Sequence, residues 1–152
     1  MLDINEIKNF IVKSRLETYT SNGGYVQSLL FGSKQLEYRD GDMLYRDIFY
    51  TAKNAFNGIE AVYVNDKPVF SNSYYGNWGE MTEQQTDLIL RGALVANPET
   101  RLNINIEWQK QGYIYNCKAR FTDDLNRLQG TETITKDGEQ IYEFTYIGGM
   151  LV

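Results

Sequence analysis

Apolar residues recur every three to four positions in two stretches of this chain and every second position across most of the rest. In DINEIKNFIVKSRLE (3–17), Ile4, Ile7, Phe10, Ile11 and Ser14 fall on one stripe and Asp3 stands where an N-cap is needed, so the spacing predicts an amphipathic helix. MTEQQTDLILRGALVANP (81–98) predicts a second helix, opened by a capping box between Thr82 and Gln85 and closed before Pro98. The intervening TSNGGYVQSLLFGSK (20–34) has a Gly-Gly break and little period, which reads as a loop with a packed apolar centre. From Gln35 the period becomes that of strands, with Asp40-Gly41, Asn65-Asp66 and Asp137-Gly138 as two-residue turns, and a further set of strands runs from about Leu102 to the end.

The order helix, strands, helix, strands raises the question of a repeat. Sliding the chain by 72 residues lays GIEAVYVNDKPVFSNSYYG (58–76) over GTETITKDGEQIYEFTYIG (130–148) and matches Gly58 to Gly130, Glu60 to Glu132, Tyr74 to Tyr146 and Gly76 to Gly148. Upstream, Tyr45 aligns with Tyr115 after a shift of two. The expected fold class is therefore α+β: two pseudo-repeated helix-plus-antiparallel-meander units, about 1–80 and 81–152, forming one large, mostly antiparallel sheet with two main helices in a single domain. In each half the hairpin register is expected to place Val62 across from Val69 and Ile134 across from Ile141. The cleft between the halves is the expected ligand site.

Composition narrows the chemistry. With 15 basic and 20 acidic side chains the net charge is −5, which argues against direct nucleic-acid binding, because that requires many phosphates to be neutralised at once. There is no histidine and one cysteine, Cys117, so imidazole-dependent triads, Cys/His zinc sites and internal disulfides are excluded. Neither a metal nor a cofactor is expected. No run of apolar residues approaches the length of a membrane span, and MLDINEIKNF carries acids where a secretory signal carries bases, so a cytoplasmic protein without membrane contact is expected. Twelve tyrosines, seven phenylalanines and two tryptophans supply aromatic faces with polar handles, which suit pocket walls.

The densest candidate region is LEYRDGDMLYRDIFY (36–50), in which Tyr-Arg-Asp occurs twice. A hairpin turning at Asp40-Gly41 would pair Arg39 with Asp42, Tyr38 with Met43 and Leu36 with Tyr45. One face then carries Leu36, Tyr38, Met43, Tyr45, Asp47 and Phe49, and the other carries Glu37, Arg39, Asp42, Leu44, Arg46, Ile48 and Tyr50. Asp47 is the exception on an apolar face: a carboxylate among aromatics is costly unless it is bonded internally or meets a ligand. Alternation places Asn72 on a face with Phe70 and Tyr74. The candidate ligand-binding residues are Tyr45, Arg46, Asp47, Phe49, Asn72, Tyr74 and Glu37, with no catalytic residue assigned. Glu60 and Glu132, in equivalent places, read first as shared architecture and second as a carboxylate pair.

GSKQLEYRDGDMLYRDIFY followed by FNGIEAVYVNDKPVFSNSYYG resembles the signature of the bacterial domain of unknown function 5680 family, over residues 5–76 and again at the final TYIGG. This chain departs from the pattern at Thr51-Ala52-Lys53, Phe70 and Asn72-Ser73. The resemblance implies a module found both alone and behind helix-turn-helix domains, hence an effector-sensing role in relatives and a stand-alone bacterial or phage copy here. Three expectations follow. The first is a non-enzymatic small-molecule binder, sensing or sequestering, with an aromatic-walled pocket and a nucleotide-like ligand among the candidates. The second is a protein-interaction or inhibitor module, as a homodimer or with another partner. The third is an enzyme using pocket carboxylates.

Overall fold

The computed structural model describes residues 3–152. Helix α1 (Ile4–Glu17) is capped by the Asp3 side chain, which accepts from the Asn5 amide at 2.9 Å, and it buries Ile7, Phe10, Ile11, Ser14 and Arg15. Four strands then form a meander, β2 (Lys34–Asp40), β3 (Met43–Thr51), β4 (Ala55–Val64) and β5 (Lys67–Asn77), preceded by the two-residue β1 (Tyr25–Val26). Helix α2 (Glu83–Ala96) opens on the Thr82/Gln85 capping box and ends one residue before Asn97-Pro98. A second meander follows: β6 (Ile106–Lys110), β7 (Tyr113–Ala119), β8 (Leu128–Lys136) and β9 (Glu139–Met150). The strand order is β1-β2-β3-β4-β5-β9-β8-β7-β6, and every pairing is antiparallel, so the two meanders join through β5 and β9 into one nine-stranded sheet among the described residues. The fold is α+β with a large antiparallel sheet.

The helices supply the cover for one face of this sheet. Ile7, Phe10 and Ile11 of α1 and Ile89, Leu90 and Ala93 of α2 share a core with the rows Tyr45–Val62–Phe70 and Tyr115–Ile134–Tyr142. The opposite face stays open: Ile59, Tyr75 and Ile147 are each at least 44% exposed. No helix among the described residues is long and apolar enough to cross a membrane.

Two registers differ from those read off the sequence. In the first hairpin the turn residues are Gly41 and Asp42, so Asp40 pairs with Met43, Tyr38 with Tyr45 and Leu36 with Asp47. Gly41 takes φ 57°, and a glycine at the first central position is what a two-residue loop of this kind favours. The slip moves each partner by two residues and leaves the faces unchanged. In the later hairpins Val62 faces Phe70 and Ile134 faces Tyr142, because a bulge follows each turn and leaves Val69 and Ile141 as the extra residues. Both turns themselves, Asn65-Asp66 and Asp137-Gly138, have positive φ at their two central residues, as primed turns require. The bulges are 72 residues apart, as are the turns.

Candidate functional site

Successive strands bring Asp47 on β3, Glu60 on β4 and Asn72 on β5 into one cross-sheet row, since Asp47 pairs with Glu60 and Glu60 with Asn72. All three side chains are buried on the helix-covered face, at 9%, 4% and 1% exposure. They form one wall of a cavity of about 80 Å³ that is partly open to solvent, room for a few waters within the enclosed part. Phe56, Tyr74, Trp78 and Phe144 build its aromatic side, and Leu90 and Leu94 of α2 close it. The aromatic rings form a continuous stack: Phe56 lies 5.7 Å from Trp78 and 5.8 Å from Phe144, and Tyr74 lies 5.5 Å from Phe144, between ring centroids. Glycine makes the stack fit, since a Cβ on Gly76 would run into the Phe56 ring. The exposed residues Lys34 and Glu83 stand at the mouth.

Glu60 is fully engaged. The Arg15 guanidinium donates to both its oxygens through Nε and Nη2, Tyr45 donates to Oε2 at 2.7 Å and the Asn72 amide donates to Oε1 at 2.9 Å. Burial alone would raise the Glu60 pKa, but the Arg15 charge and these hydrogen bonds hold it below the ordinary value. Arg15 in turn keeps its proton against burial through Glu60, and spends a third donor on the Thr100 carbonyl at 2.8 Å. The counterpart in the second meander has the same form: Arg101 grips both oxygens of Glu132 at 2.7 and 2.8 Å, with Tyr115 and Tyr142 donating as well. Each glutamate is neutralised in its own arginine and tyrosine cage.

Asp47 has no such partner. Among the described residues its single side-chain hydrogen bond comes from the Tyr74 hydroxyl at 2.5 Å. Burial and then the neighbouring Glu60 charge push its pKa from 3.8 to about 7, against the opposing effects of Tyr74, Arg101 and Arg15. Burial also raises the hydroxyls of Tyr19, Tyr45 and Tyr74 well above 10, with nearby carboxylates adding to the effect, so these tyrosines act as proton-bearing donors. Their protons are all committed, to Asp87, Glu60 and Asp47 respectively. Asn72 is the second exception: its Nδ2 must face the Glu60 carboxylate, which leaves Oδ1 buried without a partner among the described residues.

Of the residues singled out from the sequence, Tyr45, Asp47, Phe49, Asn72 and Tyr74 line this cavity together. Glu37 and Arg46 lie elsewhere: strand alternation turns them to the opposite face, where Arg46 Nε donates to Glu37 at 2.8 Å and the guanidinium covers the Tyr63 ring at 5.5 Å. Sequence reasoning missed Arg15, Arg101, Phe56, Trp78 and Phe144. Arg15 did carry a signal, since it stands four residues after Ile11 and eight after Ile7 on the buried stripe. Arg101 carried none, because its place depends on a loop in which it takes a left-handed backbone, φ 65°. Cys117 is buried, and burial pushes its thiol up to about 11, far from a reactive thiolate.

The chain belongs to the family described as Domain of unknown function (DUF5680), whose model matches residues 47–151. The match starts at Asp47 and runs through the second meander, further along the chain than the signature read at residues 5–76. No curated protein and no solved structure matched the chain.

Proposed function

We propose that this domain is a non-enzymatic binding module that senses or sequesters a small planar ligand in the cavity beneath α2. The observation that carries the reading is the pairing of an unmet acceptor, Asn72 Oδ1, with a buried carboxylate, Asp47, that has no arginine, both on the wall of an aromatic cavity. Buried polar groups are normally satisfied; Thr20 Oγ1 and Tyr146 OH are also unmet among the described residues, but of the three residues only Asn72 lines the cavity, where a ligand could supply the partner. A nucleotide-like ligand fits this arrangement, with a base against the aromatic stack and phosphate toward Lys34 and Arg91 at the mouth.

Thermal melts with fractionated small-molecule cell extract, nucleotides included, test the reading. A ligand at a hundred times its Kd stabilises by about 2.7 kcal/mol, a rise on the order of 5–10 °C for a domain of this size. Asn72→Leu, which removes the acceptor, is expected to abolish the rise. A wild-type melt unmoved by every fraction would count against the pocket.

A protein-interaction module, as a homodimer or with another partner, is the second reading. It is favoured by Leu29, Leu30 and Phe31, which stand 68%, 46% and 103% exposed in the loop between β1 and β2. An enzyme remains the third reading: an acid poised at about 7 suits proton transfer, but Glu60 beside it is saturated. We further infer that the halves about 1–80 and 81–152 descend from one duplicated unit, on the support of the 72-residue offset shared by the turns, the bulges and the two caged glutamates.

A further inference from the structure

The polar groups of the cavity differ sharply in what they have left to offer. The tyrosine protons are spent on carboxylates, and the Arg15 and Arg101 charges are each cancelled by a glutamate held through two nitrogens. Along the Asp47–Glu60–Asn72 wall, what remains open is acceptor capacity: Asn72 Oδ1 and the second oxygen of Asp47, which takes no hydrogen bond from the described residues, whereas Lys34 offers its donors only at the exposed mouth. The two stand on β5 and β3, on either side of Glu60, roughly 10 Å apart at the backbone by the usual strand spacing. With Asp47 ionised, an anionic or carbonyl-edged ligand would place oxygen against oxygen here. A ligand edge bearing N–H groups would satisfy both.

Resting on the binding reading above, we propose that the pocket selects a planar ring whose edge carries N–H donors, such as an amidine or an aminated heterocycle, and rejects its carboxylate isostere. Asp47 holds the charged or most acidic N–H, Asn72 Oδ1 takes a second, and Tyr74, Phe144 and Phe56 stack on the ring. Selectivity comes from the unpaired acceptors, because a site built to meet a donor penalises a ligand that lacks one.

Benzamidine, benzamide and benzoate share one shape and differ in the donors and charge of the edge, so they serve as probes by titration calorimetry and amide NMR on the full chain. Benzamidine is expected to bind at least about tenfold more tightly than benzamide, benzoate more weakly still, with the Asn72 side-chain amide and the β3 and β5 resonances shifting. Asp47→Asn is expected to bring benzamidine down to the level of benzamide, and an unchanged wild-type-like spectrum shows that the variant folds. Benzoate or benzamide binding as tightly as benzamidine at those resonances would overturn the selectivity while leaving the pocket in place. Absence of binding by all three at millimolar concentration would also overturn it, and the extract melts would then judge the pocket by themselves.

Discussion

Replacing Asp47 by asparagine is expected to stabilise this protein, increasingly so as the pH rises. The carboxyl is buried with one hydrogen bond, and its pKa stands at about 7 instead of 3.8. At about 1.4 kcal/mol for each tenfold change in an equilibrium, holding it ionised costs the fold about 4 kcal/mol relative to holding it protonated. The sign follows from proton counts: between those two values the native state binds a proton that the unfolded state has released, so stability falls as pH rises. The contribution is intact below the unfolded value, lost through the interval at up to about 1.4 kcal/mol per pH unit, and gone above the native value. Asparagine has the same shape, keeps an acceptor for Tyr74 and does not titrate. Urea melts of both proteins between pH 5 and 8 should therefore show the difference in unfolding free energy moving by roughly 2–3 kcal/mol in favour of the variant. Groups common to both chains cancel in the difference. Parallel curves would mean that Asp47 titrates like a solvated acid. A variant less stable than wild type by a kcal/mol or more at pH 8 would mean that the ionised carboxylate anchors the fold, and the case for a ligand would lose its main support.

Two further outcomes test the frame around that residue. Glu60→Gln leaves the buried Arg15 without its counter-charge, which should cost about 3–5 kcal/mol of unfolding free energy in urea melts; the same change should lower the Asp47 pKa in an NMR titration, since Glu60 is the second cause of its rise. Gly58→Ala would set a Cβ 2.5 Å from the Tyr74 hydroxyl and 2.7 Å from the Ile48 carbonyl oxygen. Its cost should be on the order of 1–3 kcal/mol, with the Asp47 pKa rising further as Tyr74 is displaced.

Local rules carried the sequence a long way where they acted alone. Both helices begin at the caps that the sequence displayed, and the face assignment of β2 and β3 holds because alternation depends only on parity. Registers were harder, because a turn moved by one residue in Gly41-Asp42 and a bulge at Val69 or Ile141 each depend on backbone conformations with weak side-chain signatures. The strand β1 escaped notice for a related reason: two residues, Tyr25 and Val26, cannot display a period. Within the site, Asp47 and Asn72 were visible as polar residues on apolar faces, a contradiction that needs no tertiary information. Arg101 and Phe144 were not: Phe144 reaches the cavity only through the β5–β9 pairing, and Arg101 comes from the loop between α2 and β6.

That pairing also explains why the cavity sits on one side of the sheet centre. Tyr74 of β5 faces Tyr146 of β9, Asn72 faces Gly148 and Gly76 faces Phe144, so the antiparallel register is centred on a pair related by the 72-residue offset, with the flanking pairs symmetric about it. On the duplication proposed above, Arg15–Glu60–Tyr45 and Arg101–Glu132–Tyr115 do the same structural work in each half, and the glutamates are scaffold. The row that flanks them is where the halves part. Glu60 lies between Asp47 and Asn72, whereas Glu132 lies between Cys117 and Phe144. A group needed to hold the frame would be needed twice. The polar pair occurs once, and the corresponding positions of the other half supply a buried thiol and an aromatic ring that becomes part of the first half's cavity wall. The buried carboxylate without an arginine thus stands, among the described residues, on the wall of the cavity proposed for the ligand.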